Sequence, residues 1–290
     1  MNHLVRELAP ISAAAWDEIE NEAKRTLKTI LAGRKLVDFQ GPRGWEAASV
    51  STGRSDPVAP PNTCAAETRL RRVLPLVELR VPFSLRRSEL DSIDRGAKDA
   101  DLKPLIEAAR TIAIAEDIAI FRGYPAAGIR GMAEDNAETA LPLGEEVASY
   151  PAAIARALNR LRDRGVGRPY AVALSERCYT ELTEATQNGY PVLEHVQRLI
   201  DGPLVWSPGL DGALVMSQRG GDFELTVGQD FSIGYLSHDA DQVRLFFEES
   251  FTFWAITPDA AVPLSGRQPH GLSSGASGSG GGQRIADGIA

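Results

Sequence analysis

Residues 45–74 read WEAASVSTGRSDPVAPPNTCAAETRLRRVL, and no compact domain accounts for them easily. The centre, Ser55–Thr63, mixes Ser, Asp, Pro, Val, Ala and Asn without a core-forming pattern. The flanks, Ala47–Thr52 and Thr68–Val73, have strand composition. A long excursion of this kind inside a folded domain is functional or unstructured. We read it as an arm that a neighbouring molecule must bury; the plainer alternative is a mobile hairpin.

On the N-terminal side of the arm, Trp16, Ile19, Ala23, Leu27, Ile30 and Leu31 recur at helical spacing. They predict a helix over Ser12–Ala32, with Ser12 as cap and Gly33 as stop. A short strand over Lys35–Phe39 and a Gly41-Pro42-Arg43-Gly44 turn lead into the arm. On the other side the pattern predicts a strand at Leu76–Phe83, a short helix at Arg86–Arg95 and a long helix at Leu102–Arg122. Ala127–Met132 reads as a Gly-interrupted loop and Val147–Arg164 as a helix.

Beyond Gly165 the pattern turns α/β. A strand at Tyr170–Leu174 precedes helices at Ser175–Glu184 and Pro191–Ile200, joined by a polar loop at Ala185–Tyr190. Strands follow at Leu204–Trp206, Gly212–Ser217, Phe223–Val227, Phe231–Leu236, Gln242–Glu248 and Ser250–Thr257. The Gly/Ser-rich end, Ser265–Ala290, has the composition of a flexible tail.

Composition narrows the function classes. The 290 residues are 43% hydrophobic, enough for one large or two modest cores. A net charge of −8 with no Lys/Arg-rich run argues against a nucleic-acid partner. No apolar stretch is long enough to span a bilayer, and MNHLVRELAP lacks the apolar region of a secretory signal, so the expectation is a cytoplasmic protein without membrane partners. Cys64 and Cys178 are far apart and read as thiols.

No catalytic motif stands out. Cys178 and His195 fall on successive helices, but Cys178 is mid-helix, where nothing lowers its pKa; a packed thiol and a surface histidine are the simpler reading. His3, His195, His238 and His270 have no metal-ligand spacing. Glu116-Asp117 and Glu248-Glu249 are adjacent carboxylates that point to different faces of their elements, which fits solvated faces or salt bridges better than a metal pair. Gly220-Gly221-Asp222 lies between two strands, so a phosphate loop is not expected there. The reading is therefore no enzyme, no metal and no cofactor.

As an ordered set, the local motifs resemble the encapsulin shell proteins, also called linocin or bacteriocin-like proteins. The set runs from Leu8-Ala9-Pro10-Ile11 and Ala15-Trp16-Asp17-Glu18-Ile19 through Ala32-Gly33-Arg34-Lys35-Leu36-Val37-Asp38 and Gly41-Pro42-Arg43-Gly44-Trp45-Glu46. It continues in Leu74–Arg80, Asp94-Arg95-Gly96, Glu116-Asp117, Phe121-Arg122-Gly123 and Gly189-Tyr190-Pro191. The most specific stretch is Ser217–Tyr235, followed by Val243-Arg244-Leu245 and Phe251-Thr252-Phe253.

The resemblance implies an α+β fold of the HK97 phage-capsid type. Residues 1–44, 75–133 and 222–264 would form a peripheral domain, 45–74 an elongated loop, 134–221 an axial domain and 265–290 an exterior tail. It implies a shell subunit that self-assembles, as a 60-mer of the smallest icosahedral class (T=1), around a cargo enzyme. That cargo would be a dye-decolourising peroxidase or ferritin-like protein bearing a terminal targeting peptide. A cargo-binding patch would map to Leu27, Ile30, Leu31, Arg34, Leu36 and Asp38, with Asp230, Phe231 and Ile233. A five-fold pore loop would map to Thr186, Gln187, Asn188, Gly189 and Tyr190. Some relatives stack a flavin on a Trp where this chain has Ser88; Ser88 offers no π-face, so no flavin is expected. The competing class, a secreted bacteriocin or protease-like protein, lacks a signal, a nucleophile and a metal motif here.

Overall fold

The structure, a computed structural model, describes residues 3–61, 66–134, 140–187 and 189–265. Cys64, Asn188 and the expected tail beyond Ser265 lie outside the described residues.

Helix α1 spans Ala13–Ile30, and the Ser12 hydroxyl accepts the Ala15 N–H as its N-cap. A 3-10 turn, Gly33–Lys35, leads to β1, Asp38–Gln40. Among the described residues, strands β2, Ser49–Val58, and β3, Thr68–Pro75, pair only with each other, antiparallel, with a register shift between Ser51 and Ser55. Strand β4 is Val77–Arg86, helix α2 Arg87–Asp94 and helix α3 Lys103–Arg122. Next come β5, Leu141–Pro142, and α4, Tyr150–Asp163. Strand β6 is Tyr170–Leu174, α5 Glu176–Glu184, β7 Thr186–Gln187, β8 Tyr190–Pro191 and α6 Val192–Gln197. Six strands follow: β9, Leu204–Trp206; β10, Ala213–Ser217; β11, Phe223–Val227; β12, Ser232–His238; β13, Gln242–Ala255; and, after a 3-10 turn at Pro258–Ala260, β14, Ala261–Ser265.

Two sheets organise these elements. The first runs β1-β11-β13-β12, with β4 also paired to β13; the second runs β5-β14-β10-β6-β9. Every residue of β6 and β10 is buried, as in central strands covered on both faces. Residues 222–264 do not stay in one layer. Strand β14 leaves the first sheet and pairs with β10 and β5 in the second, where Ala261–Leu264 are buried.

Three expectations need correcting. Gln242–Glu248 and Ser250–Thr257 are one strand, β13. Adjacent glutamates look like a break between strands, yet Glu248 and Glu249 are fully buried in mid-strand, one held by Arg80 and the other by Arg34. Glu116 and Asp117 are likewise fully buried on α3, so the solvated-face half of the expectation fails for both pairs, while its salt-bridge half holds for Glu116, Glu248 and Glu249. Gly33 is also no left-handed helix stop, because α1 ends three residues earlier. Gly33 is there for close approach: a Cβ on it would lie 2.5 Å from Ile120 Cδ1.

The Asp117 carboxylate starts the turn that follows α1. Its oxygens accept the N–H of Ala32 at 3.0 Å, the N–H of Gly33 at 2.8 Å and the Ser207 hydroxyl at 3.3 Å. Burial pushes its pKa up to about 7, although the N–H donors from Gly33 and Ala32 pull the other way. A carboxyl with a raised folded-state pKa binds its proton more tightly folded than unfolded, so its contribution to stability falls as pH rises between the two values. The advantage of wild type over Asp117→Asn should therefore decline between pH 3.8 and about 7 and level off outside that window. Denaturant unfolding of both proteins across this range checks it; a difference that grows with pH contradicts the account.

Candidate functional site

Helix α1 lays one stripe, Glu20, Ala23, Lys24 and Leu27, beside the edge strand β12. Their i, i+3, i+4, i+7 spacing keeps the four residues on one face. Between the helix and the strand lies a cavity of about 170 Å³ whose apolar walls are Leu4, Leu27, Phe231, Ile233 and Phe247. Its polar rim carries Arg6, paired with Glu20 at 2.7 Å, and Lys24, 3.3 Å from the same carboxylate. Arg6 holds the Glu20 carboxyl below its ordinary range.

The nine residues expected at a peptide patch divide into four groups. Leu27, Phe231 and Ile233 line this groove. Ile30, 1% exposed, and Leu31 are core beneath it. Leu36 and Asp38 sit apart, on a small polar depression beside Gly220 and Asp222, where the Asp38 carboxylate accepts the Gly221 N–H at 2.6 Å. Arg34 and Asp230 belong to an ion cluster.

That cluster is dense. Arg34 Nε donates to both Glu116 oxygens at 3.0 Å, and Nη2 donates to Glu116 at 2.7 Å and also to Glu249. Its Nη1 donates to Asp230 at 2.8 Å. The guanidinium lies 4.5 Å from the Phe231 ring centroid, a cation–π geometry. The surrounding carboxylates hold the Arg34 pKa above its usual value despite burial, while burial and the Glu116 charge push Glu249 well above the carboxylate range. Asp230, with 41% of its side chain exposed, is the member that reaches solvent. Arg34 is thus a structural hub more than an open rim charge.

Sequence reasoning missed Leu4, Arg6, Ala23, Lys24 and Phe247 at the groove. Ala23 and Lys24 were discoverable from helical spacing. Leu4 and Arg6 were not, because a short N-terminal segment shows no periodicity. Of the expected pore loop, Thr186–Gln187 and Tyr190–Pro191 form a two-stranded ribbon, with Gly189 at φ +81° and Tyr190 62% exposed.

Elsewhere, Cys178 is free and buried, with the Tyr150 hydroxyl 3.9 Å from its sulfur; that hydroxyl donates to Glu181 at 2.6 Å. Among the described residues, no group of three or more His, Cys, Asp or Glu is placed to hold a metal ion. No helix among them is long and apolar enough to cross a membrane.

Comparison with known proteins agrees with this geometry. Residues 1–252 match the family described as "Encapsulating protein for peroxidase". The chain is 57% identical over 272 residues to the type 1 encapsulin shell protein of Rhodospirillum rubrum, covering 92% of this chain and 97% of that one. It is 49% identical over 266 residues to the Mycobacterium tuberculosis type 1 encapsulin shell protein, covering 91% and 100%. Among solved structures, the virus-like particle of Pyrococcus furiosus aligns with a TM-score of 0.60 at 14% identity, over 86% of this chain and 98% of that one. The capsid of the myovirus XM1 aligns at 0.51 and 11%, over 81% and 90%. The fold is that of the HK97-like capsid proteins, and the chain belongs to the encapsulin shell family.

Arg34→Met leaves the buried Glu116 carboxylate without its cation and Glu249 without its guanidinium donor, and breaking a buried pair in this way costs about 3–5 kcal/mol. Its unfolding midpoint in guanidinium should fall accordingly, with Arg34→Lys recovering only part because a point charge cannot bridge several carboxylates. A midpoint equal to wild type for Arg34→Met would refute the hub.

Proposed function

We propose that this member of the encapsulin family is the structural subunit of a closed, self-assembling shell and has no covalent chemistry of its own. The observation that carries this is the arm. Strands β2 and β3 pair with no other strand among the described residues, and an isolated two-stranded ribbon is marginal in water. Leu70, 65% exposed, and Val73, 50% exposed, project apolar surface that none of the described residues covers. A neighbouring copy is the natural cover.

In this reading the arm, residues 45–74, is the elongated loop. Residues 1–44, 75–133 and 222–264 form the peripheral domain and 134–221 the axial domain. The Thr186–Tyr190 loop rings a five-fold pore, and about 60 copies close the shell in the cytoplasm. The groove lined by Leu27, Phe231 and Ile233 takes the terminal peptide of a cargo enzyme, a peroxidase or ferritin-like protein. The family description, an encapsulating protein for peroxidase, supports a peroxidase cargo, and a narrow apolar groove with few charges suits a short Leu/Ile-containing segment.

Negative-stain microscopy tests the two surfaces together. Deleting 46–73 should yield unassembled, aggregation-prone protomers, whereas Phe231→Asp should yield intact particles stripped of the proteins that co-purify from the native host. Closed particles from the arm deletion would sink the shell reading of the arm. Unchanged co-purification with Phe231→Asp would sink the groove.

A further inference from the structure

The groove beside α1 is walled in part by the N-terminal segment of its own chain. The N-terminal segment runs along β12, the terminal strand of its sheet, and the Leu4 carbonyl accepts the Tyr235 N–H at 2.9 Å. The Leu4 side chain, 9% exposed, forms one wall of the cavity opposite Leu27. Arg6 ties the segment to α1 through Glu20 and by lying 4.1 Å above the Trp16 ring. On the other side of Leu4, His3 stacks on Trp45 at a centroid separation of 3.7 Å.

Between these anchors the backbone is strained. Val5 has φ 44° and ψ 32° and is the only non-glycine at positive φ among the described residues. The left-handed region crowds Cβ against the following carbonyl, and a β-branched side chain there is a true outlier. Such strain persists only where the surroundings enforce it, and it concentrates at clamps and switches.

We propose that residues 3–6 are a strap that acts as a built-in competitor for the groove. Leu4 stands where an apolar side chain of an incoming peptide would sit, and its carbonyl holds the edge N–H that an extended peptide would take to add a strand to β12. Arg6 and His3 hold the strap down, and the strain at Val5 favours its release when a peptide arrives. This rests on the reading of the groove as the peptide site.

The test uses particles of the full-length chain and a fluorescent protein ending in HLVREL, the sequence of residues 3–8, co-expressed with the shell. Intact particles should exclude this probe. Particles lacking residues 1–6 should retain at least about tenfold more of it per shell, and Phe231→Asp in that background should return retention to the excluded level. Val5→Gly, which adopts the left-handed conformation without the Cβ clash, should hold the strap closed and reduce native cargo per shell about tenfold. If the truncated chain does not assemble, Val5→Gly decides alone. Equal probe retention with and without the strap, or full native loading in Val5→Gly, overturns the strap. In either case, loss of cargo with Phe231→Asp leaves the groove reading standing.

Discussion

The buried carboxylates of α3 constrain everything around them. Glu116 and Asp117 follow one another on a helix that is otherwise Ala, Ile and Leu at that level, and both are fully buried. Two neighbouring acids can be carried there only if each is satisfied. Asp117 is satisfied by backbone N–H groups and thereby fixes the path of the chain as it leaves α1. Glu116 is satisfied by Arg34, which also reaches Glu249 on β13 and Asp230 before β12. One guanidinium therefore joins the end of α1, the long helix, the long strand and the groove strand. The N-terminal helix cannot shift along the sheet without unpairing several buried charges.

From that joint follow the positions of both surfaces proposed above, the groove and the arm. Locking α1 against α3 sets the distance between Leu27 and Ile233, hence the width of the groove. The same lock anchors β1, whose parallel pairing with β11 carries the chain into the turn at Gly41–Gly44 and out along the arm. The arm root is fastened separately: Leu76 donates its N–H to the Ala48 carbonyl at 2.9 Å, and His3 stacks on Trp45. Beyond the root the ribbon holds itself together with local pairs such as Arg72–Asp56 and Arg69–Ser55. Fastened at its root and paired with no other strand among the described residues, it suits contact with a second molecule.

Much of this was legible in the sequence where one physical rule acted alone. The Ser12 cap and the 3.6-residue stripe predicted α1, and short apolar runs bounded by turn signals predicted β6, β9 and β11 to the residue. Glycine at positive φ marked turns such as Gly189 and Gly220 correctly. The failures came where tertiary partners overrode local character. Glu248-Glu249 looked like a loop because nothing nearby in sequence announces Arg34 or Arg80. Gly33 looked like a helix stop because its contact with Ile120 lies far along the chain. Arg34 looked like a rim charge because its acceptors come from three separate elements. The strap at Leu4 was invisible for the opposite reason: too few residues to make a pattern.

The central claim is that the chain works through surfaces that only a complete shell assembles. The most direct measurement is the mass of the particle in solution, by light scattering on the full chain at neutral pH. The account predicts one species of about 60 times the 31.2 kDa protomer mass. A monomer or dimer as the dominant stable species would contradict it.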